Sequence, residues 1–359
     1  MFTLFEKSNI HLKNRFVRSA TNENSYYPEK NWQRQAKLYE ELAKGGVGAI
    51  ITGGFVVSST SSESKIVNLK NPETAEGLEL LTESAHRYGA KIWMQILHAG
   101  RQDPYASEAE PAWCPSEYTG EIYRLKPKVM TTEDIQSVVE DFGRAALLAR
   151  ERGFDGVEVL AGHGYLLSQF LSPAINHRED AYGGSTTKRF RIVGEIARAI
   201  REKTGPDFTL GIKLNCHDLC EEGIDRQEFL ALGELCEGLF DFVEVSAGMN
   251  EHWKNFLKYF KLGPSLYREE ARKLRKVYSG VIILSGNNID IQMNQEMLQG
   301  KEVDLIGLSR ALIREPGLIN HWVQGKGKTP ECERCNLCNI NKFLGPLHCW
   351  KKDGVGVSE

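Results

Sequence analysis

The sequence lacks an excess of positive charge, a long apolar run and a low-complexity segment. Its 359 residues carry 45 Lys and Arg against 48 Asp and Glu, a formal net charge of −3, so few cationic groups are available to neutralise a phosphate backbone. No segment approaches the ~20 apolar residues of a membrane helix, and the opening MFTLFEKSNIHLKN contains no apolar signal-peptide core. We expect a soluble, cytoplasmic protein that binds neither nucleic acid nor membrane.

Cysteines are few and unevenly placed. Four of the eight are scattered, at Cys114, Cys216, Cys220 and Cys236, and the other four crowd the C-terminal tail. In a cytosolic chain such crowding indicates a metal site before it indicates disulfides. The composition, with 41% hydrophobic and 26% charged residues, suffices for a sizeable core and differs from that of a disordered chain.

Short apolar runs rich in β-branched residues recur along most of the chain and predict eight strands, at 16–21, 48–54, 91–97, 156–160, 209–215, 241–247, 281–286 and 304–309. Most are continuous rather than alternating, as in parallel strands covered by helices on their outer face. Helical periodicity fills the gaps, at 32–44, 76–88, 133–150, 188–203, 227–238, 265–277 and 291–299. The clearest helix, 133–150, has Thr131 and Thr132 as N-cap candidates.

Eight strands alternating with helices predict a (β/α)8 TIM barrel, an α/β fold that typically takes ~250 residues. We place the barrel at 1–325 and a short Cys-rich C-terminal extension at 326–359. An open doubly wound sheet is the alternative, but the first strand leads into FVRSATNENSYY, which has no glycine for a dinucleotide-binding fingerprint. The longest insertion, 98–130, follows the third strand, and we expect it to line or cover a substrate site.

Polar residues gather where the predicted strands end, which is where TIM barrels place their active sites. They are Gln95, His98, His163, Tyr165, Lys213, Asn215, Gly286 and Arg310. The last two belong to SGNN (285–288) and GLSRALIREP (307–316), and loops after the seventh and eighth strands often bind phosphate through backbone N–H groups. Each residue alone is compatible with an ordinary loop role. Their convergence indicates a site for a phosphorylated ligand.

Several other residues receive structural interpretations. Arg101 and Arg178 are expected to pair with acidic loop residues, and Glu269 to pair with Lys273 one helical turn away. Two residues after the fifth strand face either substrate or solvent, namely His217 and Asp218. We expect the aromatic residues after the sixth strand to pack within their loop rather than form a substrate wall, namely Trp253, Phe256, Tyr259 and Phe260.

The stretch GFDGVEVLAGHGYLLSQFLSPAINHREDAYGGS (153–185) closely resembles the strand-four signature of the Old Yellow Enzyme family of FMN-dependent NADH:flavin oxidoreductases. KNRFVRSAT (13–21), KGGVGAIITGG (44–54), MQILHAGRQ (94–102) and DLIGLSRALIREP (304–316) match the same family in order and at similar spacing. The resemblance covers roughly residues 1–325. It implies a (β/α)8 barrel that holds FMN at its C-terminal mouth and takes electrons from NADH or NADPH.

The resemblance also assigns cofactor-binding positions. Lys213 falls near flavin N1, where a cation stabilises the anionic reduced flavin. The residues implied around the flavin ring are Ala20, Thr21, Asn22, Gly54 and Gln95, with Asn22 near the flavin O4. The residues implied at the phosphate are Gly286, Ser309 and Arg310.

Two residues correspond to the family's catalytic positions, Tyr165 as proton donor and His163 as a substrate-orienting residue. In the ene-reductase reaction so implied, flavin N5 delivers hydride to the β-carbon of an activated alkene while Tyr165 protonates the α-carbon. In members of the family a pair of side chains commonly hydrogen bonds to the substrate carbonyl oxygen. Leu160 stands at the position of the first of this pair. Losing one such donor costs on the order of 10²–10³-fold on a standard substrate. The substrate is therefore expected to differ from a simple enone or enal.

The tail ECERCNLCNINKFLGPLHCW (331–350) spaces Cys332, Cys335, Cys338 and Cys349 as C-x2-C-x2-C-x10-C. It resembles the [4Fe-4S] segment after the barrel in the trimethylamine dehydrogenase and 2,4-dienoyl-CoA reductase branch of the family. Four thiolates at this spacing equally fit a tetrahedral Zn²⁺, and a tail without metal is the third alternative. A cluster here would imply an electron-transfer partner or a structural role.

The residues and the resemblance together predict an FMN-dependent, NAD(P)H-driven reductase of an activated alkene. The alternative is an FMN-dependent dehydrogenase or demethylase of a small amine-like substrate that exports electrons through a tail cluster. A third interpretation is a flavin-binding barrel or isomerase without net redox turnover. A small-molecule substrate is common to the first two, and a homo-oligomer is compatible with all three.

Overall fold

The eight predicted apolar runs form eight parallel strands. In chain order they are β1 (Phe16–Arg18), β2 (Ala49–Ile51), β3 (Lys91–Leu97), β4 (Gly156–Ala161), β5 (Thr209–Asn215), β6 (Phe242–Ser246), β7 (Val281–Leu284) and β8 (Leu305–Leu308). The computed structural model describes residues 1–23, 32–58, 72–118, 120, 122, 124–252, 263–326, 329–340, 345, 347–352 and 354, without the side chains of 72–75. The prediction for the four aromatic residues after β6 concerns residues outside this part of the chain, namely Trp253, Phe256, Tyr259 and Phe260.

The strands close into a ring. Each pairs in parallel with the next along the chain, and β8 pairs with β1, which sets Ile306 opposite Phe16. Strand β2 pairs with both β1 and β3, so no break separates the first strands from the rest. The closed ring confirms the (β/α)8 barrel and excludes the open doubly wound sheet.

Helices follow the strands at the positions that the periodicity predicts, with ends that differ by a few residues. They are α1 (Trp32–Lys44), α2 (Pro72–His86), α3 (Thr132–Glu151), α4 (Thr186–Thr204), α5 (Arg226–Cys236), α6 (Arg268–Leu274) and α7 (Ile291–Gln299). Two short helices follow β8, Arg310–Arg314 and Leu318–Val323. Thr131 rather than Thr132 caps α3, because its side chain accepts from the Asp134 N–H while the Asp134 carboxylate accepts from the Thr131 N–H.

The barrel has two apolar layers. The larger lies between strands and helices and includes Ile50, Ile92, Val138 and Phe142. The smaller lies inside the ring, where Val17, Ile51, Trp93, Phe242 and Ile283 pack with three residues of an N-terminal hairpin, Phe5, Ile10 and Leu12. Burial of these side chains away from water stabilises the ring, and the hairpin seals the end opposite the strand carboxyl termini. The open end therefore lies at those termini.

The insertion after β3 reaches across this open end, but its described residues do not line the cavity that lies there. Arg101 makes a buried ion pair with Glu251, which follows β6, and its guanidinium packs over the Tyr118 ring. Gln102 Nε2 donates to the His163 carbonyl at 2.8 Å. None of the described residues of 98–130 lines the cavity. The described residues of the segment therefore do not line the site, because they pack against the neighbouring loops. The other half of the expectation, that the segment covers the site, stays a prediction.

The other predicted ion pairs are present. Arg178 pairs with Asp180 and Lys273 with Glu269, at 2.6 and 3.7 Å, as predicted. None of the helices in the described part of the chain has the length and apolar character that a membrane crossing requires.

Candidate active site

A cavity of about 290 Å³ opens at the carboxyl ends of the strands. Its walls come from nearly every strand end around the ring, as expected where parallel strands converge. Every predicted cofactor-binding or catalytic residue lines it: Ala20, Thr21, Asn22, Gly54, Gln95, His163, Tyr165, Lys213, Gly286, Ser309 and Arg310.

One wall of the cavity, here called the charged side, is made by Gln95 and Lys213 with Glu158 and Glu244 behind them. Gln95 lies opposite Glu158 in the β3–β4 register, and Lys213 opposite Glu244 in the β5–β6 register. Gln95 Nε2 donates to Glu158 Oε1 at 2.7 Å, and Lys213 Nζ donates to Glu244 Oε1 at 3.1 Å. All four side chains are buried, because inward-facing positions at one level of the ring crowd together.

The two carboxyl groups of the charged side differ in their affinity for a proton. Burial and the charge of Glu244 raise the pKa of Glu158 well above its usual value. The charge of Lys213 and hydrogen bonds from Glu158 and the hydroxyl of Ser285 outweigh the burial of Glu244 and lower its pKa below the usual value. The site therefore favours an ionised Glu244 beside a protonated Glu158.

A second buried network supports the loop after β1. Glu23 accepts from Arg18 Nη2 at 3.1 Å, from the Tyr39 hydroxyl at 2.6 Å and from Gln35 Nε2 at 2.8 Å. It also accepts from the Gly53 N–H at 3.3 Å. The four bonds tie the cavity-lining segment after β1 to the end of β2 and fix its backbone.

The loops after β7 and β8 bring small residues and a cation to one end of the cavity. Gly286 has φ +106°, and a Cβ there would lie 2.7 Å from the Tyr267 ring, so only glycine fits. Thr21 and Ser309 hydroxyls bond each other at 2.6 Å and join the β1 and β8 ends. Arg310 begins the next helix and lines the same end.

A second part of the cavity wall, here called the apolar side, is made by Val56, Leu97 and Leu160 with Tyr165 packed against them. Tyr165 precedes the short helix Leu166–Leu171 in extended conformation, which sets its side chain at the β4 exit. The side chain of Leu160 is buried and supplies no hydrogen-bond donor.

His163 also lines the cavity. Its backbone has φ +61°, and is held by Asn215 Oδ1, which accepts from the His163 N–H, and by Gln102 Nε2, which donates to the His163 carbonyl. Its Nε2 hydrogen bonds with Ser246 Oγ at 2.8 Å. Burial, reinforced by the charge of Lys213, lowers the His163 pKa to about 3. The imidazole is therefore neutral at physiological pH.

Four polar residues at strand ends lie away from the cavity. His98 is buried, and its Nδ1 accepts from the Gly100 N–H at 3.0 Å. Asn215 Nδ2 donates to Asp218 Oδ1 at 2.9 Å, and Asp218 is completely buried. His217 Nδ1 accepts from a neighbouring backbone N–H. None of the four lines the cavity, so they shape its loops rather than its surface.

The tail cysteines lie near the end of the cavity that Gly286 and Arg310 line. Cys332, Cys335, Cys338 and Cys349 line one small space together with Arg310, and two of them, Cys332 and Cys338, also line the main cavity. Burial raises the pKa of the Cys338 thiol to about 11, with Arg310 opposing. Within the described residues, no three His, Cys, Asp or Glu side chains are grouped as ligands of a single metal ion.

Comparison with known proteins decides the family. The sequence profile of the NADH:flavin oxidoreductase / NADH oxidase family matches residues 1–328. This chain belongs to that family. The Old Yellow Enzyme resemblance and the FMN-type, nicotinamide-linked cofactor chemistry that it implies are thereby confirmed at the level of the family.

The family includes relatives of different activities. An N,N-dimethylglycine/sarcosine dehydrogenase from Chromohalobacter salexigens is 30% identical over 356 residues, covering 96% of this chain and 51% of the relative. A cinnamate reductase from Clostridium sporogenes is 31% identical, covering 91% of this chain and 54% of the relative. The chain spans about half the length of these curated relatives. A solved 2-naphthoyl-CoA reductase superposes with a TM-score of 0.87 at 24% identity, covering 96% of this chain and 56% of that one, a likeness of fold.

The residues of this family member fit FMN. Gly54 keeps one wall open, because a Cβ there would lie 2.3 Å from Leu97 Cδ2 and 3.4 Å from Gln95 Oε1. An amide and an ammonium group at the charged side suit the polar edge of a flavin. The strand-end glycine and Arg310 at the far end suit a phosphate.

Sequence reasoning missed the acidic residues of the site. Glu158 and Glu244 each stand at the centre of a V-E-V triplet inside an otherwise apolar strand. A carboxyl group at an inward position of a buried strand is itself unusual, because burial of an unpaired charge is unfavourable. That signal could have identified both. Glu23 carries no comparable signal, since its partners come from β1, from α1 and from the β2 end.

Proposed function

We propose that the protein reduces an activated alkene with electrons from NADH or NADPH, using bound FMN. The observation that carries this proposal is the meeting of Tyr165, on the apolar side, with Gln95 and Lys213, on the charged side, in one cavity. A proton donor beside a cofactor wall is the arrangement that alkene reduction needs.

The cofactor would be held along the whole cavity. The residues proposed around its ring are Ala20, Thr21, Asn22, Gly54, Gln95 and Lys213, and those proposed at its phosphate are Gly286, Ser309 and Arg310. When bound, FMN takes a hydride equivalent from the nicotinamide and supplies it to the substrate. Lys213 stabilises negative charge at the ring, since its ammonium is buried and paired with only one ionised carboxylate.

The proposed catalytic residues act on the substrate itself. Tyr165 donates its phenolic proton to the α-carbon, and the apolar side beside it keeps water away from the reacting atoms. His163 orients the substrate through a neutral imidazole, whose Nε2 contacts Ser246. Because Leu160 offers no donor, the substrate's activating group receives at most one of the two side-chain hydrogen bonds that are common in the family. We infer a substrate with a sizeable apolar part against Val56, Leu97 and Leu160.

A second function is favoured by the tail. Four cysteines share one space next to Arg310, which supports a [4Fe-4S] cluster or a zinc ion at Cys332, Cys335, Cys338 and Cys349. With a cluster, the protein would be an FMN-dependent dehydrogenase or demethylase of a small amine-like substrate, passing electrons to a partner. The dehydrogenase relative from Chromohalobacter salexigens supports this alternative. In both functions residues 1–325 form the catalytic barrel and 326–359 the extension.

One experiment separates the two functions. The protein is purified anaerobically, its absorption spectrum is recorded before and after NADH or NADPH, and iron is quantified on the same sample. Flavin bands that bleach with nicotinamide, reoxidation by an α,β-unsaturated compound and no iron support the alkene reductase. A broad shoulder with about four irons per chain supports the electron-exporting dehydrogenase. Protein that binds no flavin overturns both.

A further inference from the structure

The charged side contains one more carboxyl group than its cation can neutralise. Glu158 on β4 and Glu244 on β6 both point into the barrel behind the cavity wall, and Lys213 on β5 lies between their strands. Both glutamates have no exposed surface. If both were ionised, a dry region beside the cofactor would carry a net negative charge, which burial disfavours.

The hydrogen bonds leave one oxygen of each carboxyl group unused. Glu158 Oε1 accepts from Gln95 Nε2, and Glu244 Oε1 accepts from Lys213 Nζ and from the hydroxyl of Ser285. Glu158 Oε2 and Glu244 Oε2 are buried and receive no donor from the described residues. Two acceptors without a donor are unfavourable. One proton between them satisfies both.

The charged and polar groups that face Glu158 favour a proton on Glu158 rather than on Glu244. From β5 comes the Lys213 ammonium, from β6 the Glu244 carboxylate, and from β3 the neutral amide of Gln95. The nearby imidazole, His163, is neutral. Glu244 has the cation, so Glu158 is the member that keeps the proton, consistent with its raised pKa.

We propose that Glu158 is a positioning residue that shares a proton with Glu244, keeping the charge of Lys213 available to a bound flavin and fixing the amide orientation of Gln95. As the neutral acid, Glu158 donates to Glu244 through Oε2 and accepts from Gln95 through Oε1. The Gln95 carbonyl oxygen is then turned toward Gly54 and the cavity. It can accept from an N–H group of the ligand ring.

The proposal has a redox consequence. With Glu158 protonated, the charges of Lys213 and Glu244 sum to zero, and the added negative charge of flavin reduction is tolerated next to Lys213. At a pH above its raised pKa, Glu158 ionises in the oxidised protein and regains its proton on reduction, because the new negative charge raises its proton affinity. The midpoint potential of the flavin must then fall more steeply with pH than at neutral pH.

The test uses the FMN-loaded protein reduced by dithionite, which removes any dependence on nicotinamide or substrate. Reduced-minus-oxidised infrared spectra are recorded in H₂O and D₂O, together with the midpoint potential as a function of pH. We expect a protonated-carboxyl band that responds to flavin reduction and shifts in D₂O. Glu158→Gln should lose that band and the alkaline steepening. In this variant the new amide can still donate to Glu244.

Two further variants make the result specific. Asp218→Asn changes another buried carboxyl group with a raised pKa that lies outside the cavity, and should keep the redox-linked band. Glu158→Leu removes the partner of Gln95 as well and should weaken FMN binding about tenfold, the effect of one lost hydrogen bond to a polar group. If Glu158→Gln fails to fold, ¹³C-glutamate labelling of the unchanged protein tests the band directly.

The inference rests on the FMN binding in the proposed function and not on the alkene. A protein that binds no FMN therefore overturns the proposed function, whereas a flavoprotein without a redox-linked carboxyl band overturns only the role of Glu158. The role is equally contradicted if Glu158→Gln shifts the midpoint potential at pH 7 as strongly as at alkaline pH. That result would mean that Glu158 is already ionised at neutral pH.

Discussion

The charged side and the apolar side of the cavity share strands β3 and β4 but are built differently. On the charged side a buried hydrogen bond joins Gln95 to Glu158, and another joins Lys213 to Glu244. On the apolar side Val56, Leu97 and Leu160 contact one another without a single polar bond between their side chains. Removing a member of the first group leaves a buried polar group unsatisfied, whereas a change in the second alters mainly shape. The charged side should therefore govern stability and cofactor binding, and the apolar side the choice of substrate.

The largest effect should come from the one hydroxyl on the apolar side. Tyr165→Phe removes the proposed proton donor, so alkene turnover should fall about 10²–10⁴-fold, the usual contribution of a general acid. Reduction of the flavin by NAD(P)H should be unaffected, since it needs no proton from Tyr165. Stopped-flow measurement of the two half-reactions checks this. Equal slowing of both would contradict the division between the two sides.

Loss of the cation on the charged side should lower the free energy of unfolding. Lys213→Met leaves Glu244 without its cation, and breaking a buried pair in this way costs about 3–5 kcal/mol in the free energy of unfolding. Lys213→Arg keeps the charge and serves as the control. Urea denaturation of the two variants and the unchanged protein measures the difference. A Met variant as stable as the Arg variant would show that the pair contributes little.

A smaller effect should follow from restoring a donor to the apolar side. Leu160→His should raise turnover of a simple enone about 10–100-fold, because a hydrogen bond to a developing negative charge contributes about 1.5–3 kcal/mol. Leu160→Met, which is similar in volume and has no donor, should give no gain. The ratio of kcat/KM on an enone to that on an apolar alkene measures the shift. Loss of activity on both substrates would indicate a packing role for Leu160.

The smallest effect concerns acid stability near the apolar side. Burial lowers the pKa of His98 to about 4 from 6.5. The unfolded chain therefore binds more protons between these values, and stability is lost as pH falls below about 6.5. Between pH 7 and 5 the loss from this group is about 2 kcal/mol.

His98→Asn should remove that loss, because the new amide oxygen can still accept from the Gly100 N–H and does not titrate. Urea denaturation at pH 7 and pH 5 measures it. His11, which is exposed, offers a matched control as His11→Asn and should leave the pH dependence unchanged. The same acid loss in His98→Asn and in the unchanged protein would place its origin elsewhere.

The architecture could be predicted because each element carries its own signal. The apolar runs of β1 to β8 and the period of α3 are local properties of the chain, and ring closure follows from their number and order. The lining of the cavity by Gln95, Tyr165 and Lys213 was predicted from strand ends. The V-E-V triplets mark Glu158 and Glu244 as unusual within the chain, but the partner of each is set by register across the ring and could not be predicted from the sequence. That the described residues of the insertion pack away from the cavity could not be predicted for a similar reason, since the Arg101–Glu251 pair joins distant loops.

The pairing of β8 with β1 also has a consequence for how the chain folds. Phe16 on β1 pairs with Ile306 on β8. Strand β1 therefore cannot complete its hydrogen bonds until nearly the whole barrel has been synthesised. Early strand edges remain exposed during that interval, and contacts of such long sequence separation form slowly. Closure of the ring at β1 is therefore expected to be a late step of folding, although β1 is the first barrel strand in the chain.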